Sequence, residues 1–389
     1  MTRCAVLTAN GRGAVATVAV HGRQAVELVN RLFFPGSGRD FAQAAEKRII
    51  VGRWGAQPGE EVVVARRGPQ LVEVHCHGGI AASEAILTSL EQLGAVRQSW
   101  QELVFELSDD AIAAQAQIAL AQATTDRTAG ILLDQYQGAL RQALHQLLER
   151  LQSRDLTNAV GIVQELLQYA SLGMHLTAPW KVVLAGPPNA GKSSLINAML
   201  GYQRSIVFDQ PGTTRDVVQA LTTLEGWPVE LSDTAGLRES DDQLEQAGVQ
   251  RARQQVQQAE LVLLLVDITA TDWQAAAETL CDAYPQAILV LNKVDLLEPD
   301  CLGSERAQSD VLQLASRSVH RISALTGQGV EPLLADIVSH LLPVIPSSGT
   351  AIPFTNEQVT QLWQIDSLLV SGDFAGSEMV ARQMLAPRV

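Results

Sequence analysis

The sequence has few aromatic residues, no paired cysteines and no excess of cations, and each shortage excludes a class of protein. Phe, Trp and Tyr make up only 4% of the 389 residues, so the core must be built mainly from Ala, Val and Leu. The cysteines, Cys4, Cys76, Cys281 and Cys301, are scattered along the chain. They match neither a metal-binding spacing nor a disulfide framework, which indicates a reducing compartment.

Long apolar runs are also missing. The run LVLLLV at 261–266 suits a buried strand and is far shorter than the ~20 residues that a membrane-spanning helix needs. The start, MTRCAVLTAN, lacks the apolar segment of a signal peptide. With 47% hydrophobic residues and a mean hydropathy of +0.08, we expect a cytoplasmic protein of more than one domain, without membrane contact.

Basic residues are outnumbered by acidic ones, 28 to 42, which gives a net charge of −14 and a pI near 4.9. This charge opposes sequence-independent attraction to a phosphate backbone. Two short basic pairs, Lys47–Arg48 and Arg66–Arg67, are typical of solvated surface. Charge therefore does not support binding to a nucleic acid.

Hydrophobic periodicity divides the chain into regions. Residues 1–107 mix strand-like runs with helical periods, which predicts an α/β domain. Residues 108–178 are rich in Ala, Leu and Gln, which predicts helices, and 350–389 are helical again. Between them, 179–349 alternate strands and helices, as a parallel sheet with crossover helices requires. We therefore expect a sheet domain inserted into one helical domain.

Two helix predictions in the helical domain are specific. Ser108 and Asp109 are predicted to cap the helix that follows them. A single long amphipathic helix is predicted from apolar residues at steps of three and four. Its members are Leu133, Tyr136, Leu140, Leu144, Leu147 and Leu151.

A glycine-rich turn, GPPNAGKS at 186–193, lies between a predicted strand and a predicted helix. Its spacing matches the phosphate-binding P-loop, whose backbone N–H groups surround phosphate oxygens at a helix N-terminus. Lys192 would supply a cation to the outer phosphates, and the Ser193 hydroxyl would reach Mg²⁺. The predicted phosphate contacts are Asn189, Ala190, Gly191, Lys192, Ser193 and Ser194.

The motif NKVD, Asn292, Lys293 and Asp295 around one variable residue, follows about a hundred residues later. An ionised carboxylate at Asp295 offers two acceptors for the adjacent N1–H and N2–H donors of guanine, and adenine lacks that pair. Ser323 and Ala324 fit the loop whose backbone N–H meets the guanine O6. These residues predict binding of GTP and GDP.

Two further motifs, PGTTRD at 211–216 and DTAG at 233–236, complete a GTPase set. Thr214 is predicted to bind Mg²⁺ directly, Asp233 to bind it through water, and the Gly236 N–H to meet the γ-phosphate. The predicted GTP contacts in this region are Phe208, Gln210, Gly212, Thr213, Thr214, Asp233, Thr234, Ala235 and Gly236. A Mg²⁺-dependent GTP-binding domain follows.

Together, GPPNAGKSSLINAML, PGTTRD, DTAGLRESDD and NKVD resemble the MnmE (TrmE) family of tRNA-modification GTPases. GRGAVATVAVHG and VEVHCHGG resemble the N-terminal domain of that family. The resemblance implies an α/β multidomain fold, in which a P-loop GTPase domain is inserted into a helical domain and preceded by an N-terminal α/β domain of the folate-binding type. It also implies a homodimer through the N-terminal domain and an MnmG-type flavoprotein as partner.

The residue after DTAG is Leu237, where small signalling GTPases carry a glutamine that orients the attacking water. The resemblance implies that Glu245 orients the water instead, although by itself Glu245 reads as a solvated acid of a helix surface. With Lys192, Thr214 and Gly236, it makes up the predicted catalytic set.

The resemblance further implies that a K⁺ ion lies beside the phosphates when two G domains pair across the nucleotide. Its predicted ligands are Asn189, the backbone carbonyls of Phe208 and Gln210, and Thr213. A cation there would offset charge that develops between the β- and γ-phosphates.

Several family features are missing. The chain ends ARQMLAPRV without the family's Cys-x-Gly-Lys tail, Ala19 replaces an arginine, and SWQELVFELSDDAIA at 99–113 replaces a lysine-bearing segment. Of the charged folate contacts only Glu73 remains, which argues against tetrahydrofolate. His75 and His77 would share a strand face and could bind a metal, but no third ligand is evident and the family has HCHGG as a structural turn.

Two functions therefore stay open. The first is an MnmE-like enzyme that takes part in wobble-uridine modification of tRNA. The second is a divergent paralogue whose GTP cycle drives only a conformational or assembly switch. The departures and the acidic charge favour the second, and fold alone does not separate them.

Overall fold

The computed structural model describes residues 1–9, 13–55, 59–202, 219–233, 255–297 and 318–386. These residues form two compact units, 1–114 and 115–386. Within the described part of the chain, no helix has both the length and the apolar character needed to cross a membrane.

The first unit is built on a seven-stranded sheet with strand order β3-β4-β5-β6-β2-β1-β7. Its strands are β1 (Arg3–Val6), β2 (Val15–His21), β3 (Phe33–Pro35), β4 (Ile49–Trp54), β5 (Glu60–Arg66), β6 (Leu71–His77) and β7 (Val96–Arg97). Its helices are α1 (Ala25–Leu32), α2 (Ile80–Gln92) and α3 (Trp100–Leu107). Strand β7 pairs parallel to β1, and the other pairs are antiparallel.

Alternation along these strands decides which side chains enter the core. Val18 and Val74 lie in the main core with Leu87 of α2, and a second small cluster joins Ala19 to Leu103 of α3. Successive side chains of a strand point to opposite faces of the sheet, and helices pack against the apolar side chains on each face. The predicted N-terminal α/β domain is confirmed.

Helix α4 (Ala111–Leu120) includes the boundary at residue 114 between the two units. The helices that lie wholly within the second unit are, in chain order, α5 (Asp126–Tyr136), α6 (Ala139–Gln152), α7 (Leu156–Leu167), α8 (Ala170–Met174), α9 (Lys192–Tyr202), α10 (Trp273–Ala283), α11 (Val330–Leu341), α12 (Asn356–Ser371) and α13 (Phe374–Leu385). Residues 342–353 contain no helix or strand, as their Pro, Ser and Gly content indicates.

The single long helix predicted over 133–151 is wrong, because Gly138 separates α5 from α6. Gly138 has φ 108°, a left-handed conformation that ends a helix and that glycine adopts readily. The predicted apolar stripe is divided as well. Leu133 and Tyr136 are 42% and 45% exposed, whereas Leu147 is fully buried.

The predicted helix cap at Ser108 and Asp109 is also wrong by one or two residues. Asp110 is the capping residue, since its carboxylate accepts from the backbone N–H of Ile112 at 3.0 Å and of Ala113 at 3.1 Å. A cap side chain reaches the second and third N–H groups of a helix, and α4 begins at Ala111.

Polar side chains tie the helices before the second sheet to the segment after it. Gln135 is fully buried; its amide donates to the Thr350 carbonyl at 3.0 Å and accepts from the Ile352 N–H at 3.1 Å. Gln164 of α7 donates to Asp366 of α12 at 2.7 Å. These contacts join distant parts of the chain into one helical assembly, so the inserted arrangement is confirmed.

The second unit contains a six-stranded sheet with strand order β13-β12-β11-β8-β10-β9. Its strands are β8 (Trp180–Ala185), β9 (Gln219–Leu224), β10 (Trp227–Asp233), β11 (Leu261–Asp267), β12 (Ile288–Asn292) and β13 (Val319–Arg321). All neighbours are parallel except β9 and β10, which a tight turn joins as an antiparallel hairpin. Buried apolar strands such as β11 and β12 are typical of a parallel sheet covered on both faces.

We predict that Leu147→Ala lowers the free energy of unfolding by about 2–5 kcal/mol, because it leaves a cavity among α6 and its neighbours. Leu133→Ala is the matched control, since its side chain is 42% exposed and should change stability by less than about 0.5 kcal/mol. Urea denaturation of both variants measures the difference. Equal losses would contradict the division of this stripe by Gly138.

Candidate functional site

The predicted P-loop connects the end of β8 to the start of α9. Gly186 has φ 152° and Gly191 has φ 97°, conformations that side chains rarely adopt. A Cβ on Gly186 would also collide with the Leu265 carbonyl oxygen, and one on Gly191 with the Asn292 amide. The loop therefore needs glycine at both positions to lie against β11 and β12.

Lys192 brings a positive charge into this loop. It is 4% exposed, and its Nζ donates to the carbonyl oxygens of Gly186 at 3.2 Å and Pro187 at 3.0 Å. Phosphate oxygens carry full negative charge and are stronger acceptors than carbonyls. A buried ammonium among loop carbonyls thus fits a site for the outer phosphates of a nucleotide.

A hydroxyl and a carboxylate meet beside the loop. The Ser193 Oγ donates to the Asp233 Oδ2 at 2.9 Å, and Asp233 ends β10 with 3% exposure. Oxygen ligands of this kind fit Mg²⁺, which is usually bound by few protein groups together with phosphates and water. Ser193 and Asp233 are therefore residues that could hold Mg²⁺, and their direct and water-mediated roles stay predictions.

Asn292 organises the loops around the predicted base site. It is 2% exposed; its Nδ2 donates to the Ala190 carbonyl at 2.9 Å, and its Oδ1 accepts from the Ala324 N–H at 3.0 Å. Its side chain thus joins the P-loop to the loop after β13. In that loop Ser323 is fully buried, and its Oγ accepts from the Thr326 N–H at 3.1 Å.

Asp295 carries an unsatisfied acceptor. Its Oδ1 is buried and has no hydrogen-bond partner within the protein. A buried carboxylate oxygen without a donor costs free energy, and the guanine edge offers two adjacent N–H donors. The residue present at this position thus fits the base that the sequence predicts.

The comparisons with known proteins agree with this geometry. The family model described as a 50S ribosome-binding GTPase matches residues 181–293. The tRNA modification GTPase MnmE of Roseiflexus sp. (strain RS-1) is 32% identical over 98% of this chain and 90% of its own length. The chain belongs to the MnmE family.

A second MnmE relative, from Symbiobacterium thermophilum, is 33% identical over 86% of this chain and 81% of its own length. Among solved structures, the G domain of the T. maritima FeoB iron transporter is 26% identical over 41% of this chain and 98% of its own, with a TM-score of 0.31. As an MnmE-family member with a GTPase domain, the chain is a GTP-binding and GTP-hydrolysing enzyme.

Several predicted residues lie outside the described part of the chain. They are Phe208, Gln210, Gly212, Thr213, Thr214, Thr234, Ala235, Gly236 and Glu245. Of the four predicted K⁺ ligands, the structure describes Asn189, which is exposed and has φ 61°. The K⁺ site and the role of Glu245 stay predictions.

The two histidines of HCHGG contact different neighbours. His75 Nδ1 lies 2.9 Å from the Thr17 hydroxyl, and His77 Nδ1 lies 2.6 Å from the Glu60 carboxylate. Among the residues described, no group of three or more His, Cys, Asp or Glu side chains could hold a metal ion. These histidines therefore serve as hydrogen-bonding residues of the first sheet.

The GTPase motifs do not predict one contact at the base site. Lys293 Nζ lies 2.6 Å from Asp267 Oδ2, and Asp267 ends β11 beside Asn292 of β12. The signal was available, because the apolar run at 261–266 is followed directly by an acid. Residues that end neighbouring parallel strands meet at one edge of the sheet.

We predict that Asp295→Asn weakens GDP binding about 100-fold, since it removes the charge-assisted acceptors of guanine. Xanthosine diphosphate should then bind the variant better than GDP does, because an amide can donate to the xanthine 2-oxo group. Titration with both nucleotides measures the change. Asp282→Asn, at an exposed position of α10, is the control, and unchanged GDP affinity in Asp295→Asn would contradict the assignment.

Proposed function

We propose that this chain is a Mg²⁺-dependent, K⁺-assisted GTPase that acts in tRNA modification. The observation that supports it most is the 2.9 Å contact between Ser193 and Asp233 beside a buried Lys192. That contact places a hydroxyl and a carboxylate, which can hold the metal ion of a nucleoside triphosphate, at one edge of the sheet. Membership of the MnmE family extends the proposal to tRNA.

Ser193, Thr214 and Asp233 would hold Mg²⁺, which supplies charge that offsets the phosphates. Lys192 would move from the loop carbonyls to the outer phosphate oxygens, and the Gly236 N–H would donate to the γ-phosphate. Glu245 would accept a hydrogen bond from the attacking water, a role that the Leu237 side chain lacks the polar atoms to perform. GTP and water then yield GDP and inorganic phosphate.

Asn189, Thr213 and the carbonyls of Phe208 and Gln210 would hold K⁺, which supplies a second positive charge near the bridging oxygen. Asn189 supports this assignment, because it belongs to the P-loop and its side chain is exposed. Its backbone is left-handed, with φ 61°. Pairing of two G domains would close this site.

We also propose that the chain forms a homodimer through its N-terminal domain. Phe34, Ile49 and Val51 are 53%, 73% and 66% exposed on the neighbouring strands β3 and β4. They share one sheet face, because Phe34 lies opposite Arg53 and because Arg53, Val51 and Ile49 follow one another at every second position of β4. An exposed apolar patch of this kind is typical of a protein interface, and a second copy of the chain would cover it.

The residues of the first sheet do not fit tetrahydrofolate. The Glu73 carboxylate accepts from Arg67 at 2.8 Å and lies 3.5 Å from His75. Ala19 lies opposite Glu73 in the strand register and is 1% exposed. Because the Glu73 carboxylate already accepts from Arg67 and Ala19 offers no charge, the proposal includes no folate step.

This misfit favours a second candidate, in which the GTP cycle drives a conformational or assembly switch without tRNA chemistry. The net charge of −14 supports it too, because an acidic surface repels free tRNA. The first candidate needs a partner, an MnmG-type flavoprotein, that contributes contacts to the tRNA.

We predict that GTP turnover in K⁺ exceeds turnover in Na⁺ by at least about tenfold, since the smaller ion fits the predicted oxygen ligands less well. Glu245→Gln should lower kcat about 100-fold and leave GTP affinity unchanged, because the amide is a weaker acceptor for the water. Steady-state kinetics in matched chloride salts test both. Equal rates in the two salts would remove K⁺ from the mechanism.

Wobble-uridine modification separates the two candidate functions. In tRNA from a strain that lacks this gene, we expect the modified uridine to disappear and to return with the wild-type gene. The Lys192→Ala gene should fail to restore it, because the variant loses the cation for the phosphates. Mass spectrometry of digested tRNA gives the readout, and an unchanged level of modified uridine would leave the switch as the function.

A further inference from the structure

We propose that Asp267 is a positioning residue of the guanine site, whose carboxylate holds Lys293 so that the lysine stem forms a wall of the base pocket. Asp267 belongs to none of the GTPase motifs. It would act on the nucleotide only through Lys293.

The sheet brings the two residues together. Asp267 ends β11 and is the register partner of Asn292, which ends β12. Lys293 is the next residue, and its Nζ lies 2.6 Å from Asp267 Oδ2. The side chains of Asp267 and Lys293 are 22% and 31% exposed, respectively, so water screens the pair less than it would at a fully open surface.

Lys293 needs such a partner because of its backbone. Its φ and ψ are 69° and 34°, a left-handed conformation that costs a residue with a side chain free energy. Residues in such conformations persist where the surroundings fix them. Here the ammonium is fixed by Asp267, and Asp295, with its unpartnered oxygen, follows two residues later.

The two oxygens of Asp267 serve different groups. Oδ1 accepts from the Thr269 N–H at 2.9 Å and from its hydroxyl at 2.6 Å, which closes the turn after β11. Oδ2 accepts from Lys293. Burial raises the pKa of Asp267, but the hydrogen bonds from Lys293 and Thr269 outweigh it and hold the pKa below its ordinary value.

A lysine stem and an aspartate carboxylate contact different parts of a base. The stem packs against the flat face of a purine, and this contact does not depend on the 2-amino group. Asp295 contacts the edge that carries this group. Loss of the contact between Asp267 and Lys293 should therefore weaken the binding of GDP and of inosine diphosphate equally. Asp295 sets the preference between the two nucleotides.

Asp267→Asn isolates the contact, because Asn keeps Oδ1 for Thr269 and presents an NH₂ group to the Lys293 ammonium. In the full-length chain, we expect the dissociation constants of GDP and inosine diphosphate both to rise about tenfold, with their ratio unchanged. KM for GTP should rise while kcat at saturation stays the same. Stopped-flow displacement of a fluorescent GDP should show faster release.

Two variants control for folding and for the turn. Thr269→Val removes the hydroxyl contact to Oδ1 and leaves the lysine contact, so nucleotide affinity should stay within about twofold of the wild type. In a Lys293→Ala background, Asp267→Asn should add no further loss, because both the stem and the ammonium that holds it have gone. Thermal unfolding of each variant confirms that it folds.

Wild-type affinity in Asp267→Asn would overturn the proposal. So would an equal loss in Thr269→Val, which would assign the effect to the turn, or a changed GDP to inosine diphosphate ratio, which would assign it to the base edge. If Asp267→Asn does not fold, Lys293→Ala alone decides, because it removes the stem, and unchanged GDP affinity in that variant would refute the role of the lysine stem.

Discussion

Parallel pairing of β8 with β10 and β11 is the constraint on which the nucleotide site depends. It brings the carboxyl ends of strands that are far apart in sequence to one edge, where Asp233, Asp267 and Asn292 end β10, β11 and β12. The interiors of β11 and β12 are apolar and largely buried, so their polar residues stand where these strands end. The residues that we propose for binding phosphate, metal ion and base therefore lie at one edge of the sheet.

The same packing explains why the site is sensitive to single atoms. There is no space for a Cβ at Gly186 or Gly191. The Asn292 amide donates to the Ala190 carbonyl and accepts from the Ala324 N–H. A substitution at any of these residues would move the P-loop relative to the loop after β13. A displacement of about 1 Å is enough to impair a site that depends on exact positions of its functional groups. Lys192 is buried within that frame, which fixes where a phosphate can enter.

Much of this could be predicted from the sequence, because the motifs encode chemistry at fixed spacing. The P-loop and NKVD are local, and each strand before them is an apolar run. Contacts between distant segments of the helical domain were not predictable, as Gln135 and Thr350 show, since periodicity does not say which polar side chains will meet. Periodicity did not predict the break at Gly138, because apolar residues recur at helical spacing on both sides of it. In the structure, the two residues of this stripe before Gly138, Leu133 and Tyr136, are exposed.

Hydrogen–deuterium exchange of the full-length chain, with and without GDP and Mg²⁺, tests the central claim most directly. Amides of bound loops exchange more slowly, because exchange requires local opening. We expect slower exchange in 186–193, 292–296 and 322–326, and no change in β5 and β6 of the first sheet. Protection confined to the first sheet, with the carboxyl edge of β8, β10, β11 and β12 unaffected, would contradict it.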